Sequence, residues 1–85
     1  MLERTIKIQN PLGIHPKSAT VLVQTANKFT SNIWISKDEK KVNAKSLMGV
    51  MSLAISQGTE IIVAADGPDE ETAIDLISQL VERDS

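Results

Sequence analysis

The chain has no cysteine and no tyrosine, and only one Phe, one Trp and one His among its 85 residues. Without cysteine, disulfides, thiolate metal sites and cysteine nucleophiles are excluded. With so few aromatics, the core has to be filled by aliphatic side chains and Met. The mixture of basic and aromatic residues that marks nucleic-acid binding is missing too. No apolar run approaches the ~20 residues a membrane span needs. Met1-Leu2-Glu3-Arg4 leads into an alternating segment, not a signal-peptide core. We therefore expect no direct nucleic-acid contact, no membrane insertion and a cytoplasmic location. A net charge of -2 with 24% charged residues gives no field of one sign to steer a polyanion or polycation.

What is present is enough for one domain, residues 1–85. Thr5 to Gln9 alternates, with Ile6 and Ile8 on one face, and reads as a half-buried strand. Asn10-Pro11-Leu12-Gly13 is turn chemistry. From Pro16 to Lys28 the period changes: Ala19, Leu22, Val23 and Ala26 share one helix face, and Pro16 suits the first turn. Asn32 to Lys37 is a second strand with Ile33 and Ile35 inward and Trp34 outward. Asp38-Glu39 turns into a short strand, Lys40 to Asn43. Ser46 to Leu53 reads as a short helix with Val50 and Leu53 inward. Glu60 to Ala65 is a strand rich in Ile and Val. After Asp66-Gly67-Pro68-Asp69, Glu70 to Arg83 forms a last helix with Ala73, Ile77, Leu80 and Val81 on its buried side. Its acidic first turn and late Arg83 suit the helix dipole. This order implies an α+β open-faced sandwich: a four-stranded, mostly antiparallel sheet with three helices on one face.

His15 lies between a glycine turn and a proline-started helix. A helix N-terminus offers free N–H donors and a partial positive charge, so an anion there is stabilised. A neutral imidazole carries a nucleophilic nitrogen. The position can therefore accept a phosphoryl group and hold its charge, or it can be a surface histidine that only precedes a helix. Lys17 opposes the dipole and either neutralises a phosphoryl oxygen or is a solvated surface cation. Ser46 is a favoured N-cap and also a place where added phosphate is tolerated, with Lys41 and Lys45 nearby to pair with it. Leu47, Met48 and Met51 cannot all be buried on so short a helix, and exposed Met and Leu mark partner surfaces. Asp66, Asp69, Glu70 and Glu71 match no metal loop and are accounted for as helix-start carboxylates. No metal or cofactor site is expected.

Taken together, Gly13-Ile14-His15-Pro16-Lys17-Ser18-Ala19 and Lys41-Val42-Asn43-Ala44-Lys45-Ser46-Leu47-Met48-Gly49-Val50-Met51-Ser52-Leu53 resemble the HPr family, histidine-containing phosphocarriers, of the Gram-positive type. The first block matches the motif Gly-(Leu/Ile)-His-Ala-Arg-Pro-Ala and departs from it at Pro16, Lys17 and Ser18. The second matches the regulatory region without a gap.

The resemblance implies a phosphocarrier of the sugar phosphotransferase system, itself not an enzyme. His15 would accept the phosphoryl group from enzyme I, with Lys17 neutralising it, and pass it to the A component of enzyme II. Ser46 would be phosphorylated by HPr kinase/phosphorylase, and the seryl-phosphorylated chain would bind the catabolite control transcription factor. Thr20, Lys45, Leu47, Met48 and Met51 would line the docking surface. The alternative within the same family is a Crh-like regulatory paralogue that acts through phospho-Ser46 with little or no phosphotransfer.

Overall fold

The computed structural model describes residues 1–83. Asp84 and Ser85, the end of the expected 1–85 domain, lie outside the described residues, as does the side chain of Arg83 that was assigned to the helix dipole. The elements are β1 (Leu2–Lys7), α1 (Pro16–Ala26), β2 (Asn32–Lys37), β3 (Lys40–Asn43), α2 (Leu47–Ser52), β4 (Glu60–Asp66) and α3 (Glu70–Arg83). Among the described residues, no helix is long and apolar enough to cross a membrane.

One sheet is formed in the order β1-β4-β2-β3, and all three pairings are antiparallel. β4 is central and carries the near-continuous apolar run expected of a strand flanked on both sides. Its Ile61, Val63 and Ala65 are fully buried, and they share the core under the helices with Ile6, Ile33 and Ile35. The helices contribute Ala19, Leu22, Ala26, Val50, Ala73, Ile74, Ile77 and Val81 to the same core. The expected open-faced sandwich is thus the observed architecture.

β1 starts three residues earlier and ends two earlier than the alternation suggests. Leu2 pairs with Ala65 and Lys7 with Glu60. The inward period is Leu2, Arg4, Ile6, but a charged residue occupies its middle position. Arg4 lays its stem on the core side and carries its guanidinium to Asp75 on α3, 2.9 Å away. Ile8 continues the ladder past the strand through backbone bonds with Gly58 and Thr59.

Two further ties hold the helical layer to the sheet. The Asp69 carboxylate accepts the backbone N–H groups of Thr30 and Ser31 and the Ser31 hydroxyl. The acidic cluster is therefore more than helix-start charge: Asp69 reaches across to the segment before β2, while Glu70 accepts the Gly67 N–H at 3.0 Å. At the other tie, Lys37 donates to the carbonyls of Leu53 and Ala54, and Lys40 to that of Ser52. Two cations from the β2–β3 hairpin thus sit on the negative end of α2.

Candidate functional site

His15 is the N-cap of α1. Its backbone is extended, with φ -99 and ψ 173, and its side chain is half-exposed. The N-cap requires non-helical backbone, and a residue followed by proline is pushed toward the same region. Pro16 therefore favours the extended backbone that the N-cap needs. Upstream, Gly13 takes φ 64, a conformation an L side chain resists. A Cβ there would lie 2.3 Å from the Ile55 carbonyl oxygen. Ile14 donates its N–H to that same oxygen at 3.0 Å, so the loop carrying His15 is pinned to the chain after α2.

Ser18, three residues after His15, folds back onto the histidine. Its hydroxyl accepts the His15 N–H at 3.1 Å and lies 3.1 Å from the His15 carbonyl oxygen, to which it can donate. Sequence reasoning treated Ser18 only as a departure from the family motif. The signal that finds it is the spacing of a polar N3 residue that can reach back to the N-cap. Lys17 and Thr20 are exposed on the first turns of α1, and the Thr20 hydroxyl donates to the Pro16 carbonyl at 2.8 Å.

Ser46 caps α2 as its type predicts. Its Oγ accepts the Gly49 N–H at 3.1 Å, and its carbonyl accepts the Val50 N–H. Leu47, Met48 and Met51 are 42%, 84% and 37% exposed, while Val50 and Leu53 are buried. The two expected lysine partners of Ser46 are elsewhere. Lys41 holds its ammonium 4.6 Å from the centre of the Trp34 ring, on the opposite face of the sheet. Lys45 donates to the Phe29 carbonyl at 2.7 Å. In the unphosphorylated chain one ammonium thus lies against an aromatic face and the other on a backbone carbonyl, and sequence proximity gives no sign of this.

The hydrogen bonds also set the relation of the two helices. Asn27, the C-cap of α1, donates to the Lys45 carbonyl just before α2, and Ile14, just before α1, donates to Ile55 just after α2. The helices therefore run antiparallel. His15 and Ser46 stand at opposite ends of α1, an 11-residue helix, so they are separated by roughly 16 Å at the usual rise per residue. Between them lie the exposed side chains of α2.

Two helix N-caps, His15 and Ser46, thus stand at the two ends of an exposed apolar strip. The family model "PTS HPr component phosphorylation site" matches residues 2–83. The phosphocarrier protein HPr of Xylella fastidiosa (strain Temecula1 / ATCC 700964) is 51% identical over 82 residues, covering 96% of this chain and 92% of that protein. The HPr-like protein Crh of Bacillus subtilis (strain 168) is 42% identical over 84 residues, covering 99% of each. A crystal structure of HPr from Thermoanaerobacter tengcongensis superposes with a TM-score of 0.91 at 53% identity, over 95% of this chain and 91% of that one.

Proposed function

The chain belongs to the HPr phosphocarrier family of the phosphotransferase system, and from that premise we propose that it carries a phosphoryl group on His15 from enzyme I to the A component of a sugar-specific enzyme II. The observation that supports this most is the placement of a half-exposed imidazole at the N-cap of α1. A ring nitrogen forms the bond to phosphorus as the donor's bond breaks. The new charge then lies at the positive end of the helix, with the Lys17 ammonium two residues on. The chain is a covalent carrier and a substrate of its partners, not a catalyst. Residues 1–85 act as a single HPr domain, in the cytoplasm where those partners work.

Ser46 is the regulatory site in this reading, phosphorylated by HPr kinase/phosphorylase. Leu47, Met48 and Met51, with Thr20 and Lys45 at the margin, form the docking surface for these partners and for the catabolite control transcription factor. A second reading, a Crh-like regulatory protein, is supported by two observations. The match to Crh spans 99% of both chains, and the departures from the HPr motif fall around the histidine.

Incubation with enzyme I and phosphoenolpyruvate, followed by intact mass, tests the proposal. One acid-labile phosphoryl group, lost in His15→Ala, is the expected result. No uptake, with Ser46 still modified by the kinase, replaces it with the Crh-like reading.

A further inference from the structure

We propose that Ser18 is a positioning residue for His15: its hydroxyl clamps the His15 peptide groups and so sets the direction in which the imidazole meets the phosphoryl donor. The inference rests on the reading of His15 as the phosphoryl acceptor. It adds a residue to that site at a position where the family motif carries a proline, which has no side-chain hydroxyl.

The argument begins with the two hydroxyls on the first turns of α1. Thr20 makes the ordinary bond back to the carbonyl four residues earlier, Pro16. Ser18 does not follow that pattern. Its Oγ turns to the residue three before it, at 3.1 Å from the His15 nitrogen and 3.1 Å from the His15 oxygen. A hydroxyl has one donor and two acceptor lone pairs, so it can serve both ends of the residue at once. Those two groups flank the Cα that bears the imidazole. Pro16 narrows ψ of His15 but leaves φ a wide range. Rotation about the N–Cα bond swings the imidazole relative to the His15 N–H. Holding the N–H and the C=O on one oxygen closes that remaining freedom. On the other side, the Ile14 N–H bond to Ile55 and the turn at Gly13 fix the chain entering His15. The side chain of Ser18 therefore supplies the last restraint on the backbone that carries the nucleophile, without touching the phosphoryl group.

The test compares the wild-type chain with Ser18→Ala and Ser18→Thr as substrates of enzyme I and phosphoenolpyruvate, in parallel with the HN–Hα NMR coupling of His15, which reads φ, in the unphosphorylated proteins. Alanine is the better helix former, so loss of fold is not expected, and a melting curve confirms it. Because docking side chains on α2 are unchanged, Ser18→Ala lowers kcat by roughly tenfold with KM held, the pattern of a misaimed group. Its His15 coupling moves toward the averaged value of an unrestrained backbone, and Ser18→Thr restores both. Unchanged kcat and an unchanged coupling in Ser18→Ala overturn the proposal. So does a Ser18→Thr variant that behaves as Ser18→Ala. If the wild-type chain itself takes no phosphoryl group, the acceptor reading falls, and the coupling alone decides whether Ser18 holds the His15 backbone.

Discussion

The carboxylate of Asp69 accepts the backbone N–H of Ser31 at 2.9 Å, which ties the start of α3 to the entry of β2. The Ser31 hydroxyl and then the Thr30 N–H hold this carboxyl at a pKa of about 2, lowered from 3.8. Glu70 is lowered in the same direction, first by the Gly67 N–H and then by the N-terminus. A depressed folded-state pKa stabilises the fold above the unfolded value and loses that contribution as pH falls through the folded one. Stability supplied by Asp69 is therefore complete above about 3.8 and fades toward about 2. Asp69→Asn should melt lower than wild type at pH 7 and converge with it at pH 2. A gap of equal size at both pH values would show that the carboxylate's charge is not what matters.

Ser46 combines two roles that substitution separates. Ser46→Ala removes the acceptor for the Gly49 N–H and should cost about 1 kcal/mol, whereas Ser46→Asn, itself a strong N-cap, should stay within about 0.5 kcal/mol. Both should lose phosphorylation by HPr kinase/phosphorylase. Denaturant melts and kinase assays on the pair check this, and retained labelling in either variant moves the site elsewhere.

Gly13 and Gly58 both have positive φ, but only Gly13 is crowded by backbone. Gly13→Ala should destabilise by about 2–4 kcal/mol and slow phosphoryl acceptance at His15. Gly58→Ala, with nothing within 4 Å of the added carbon, should cost only about 1 kcal/mol. Urea titrations rank the two, and equal losses would mean that contact with Ile55 is relieved at little cost.

Lys17 presents a point charge where a planar guanidinium would bind a phosphoryl group with two parallel hydrogen bonds. Lys17→Arg should speed phosphoryl acceptance about threefold and Lys17→Gln should slow it about tenfold. Single-turnover transfer from phosphorylated enzyme I measures both. Indifference to both changes would place Lys17 outside the site.

The periodic elements were legible because their inward positions are apolar. β2, β3 and α3 begin and end where their patterns do, and α2 has the caps its sequence announces. β1 was displaced because Arg4 interrupts its inward series. α1 stops at Ala26, short of Lys28, because Asn27 turns its side-chain amide to the Val23 and Lys45 carbonyls. The ends of the site were also legible: His15 through the turn and proline around it, Ser46 through its capping position. The rest depends on partners distant in sequence. Neither Lys37 and Lys40 on the end of α2, nor Lys45 on Phe29, nor Asp69 on Thr30 and Ser31 leaves a local pattern. Each of these bonds exists only once the sheet order β1-β4-β2-β3 has brought its ends together.

Trp34, under the ammonium of Lys41, is the only indole of a chain without tyrosine, and it lies across the sheet from α1 and α2. Its emission is an optical gauge of the sheet. A group attached at His15 or Ser46, or a protein seated on α2, leaves the fluorophore's surroundings in place. Unfolding removes the cation from above the ring and admits water. A single spectrum can thus certify that a variant has kept its shape before anyone asks whether it has kept its chemistry.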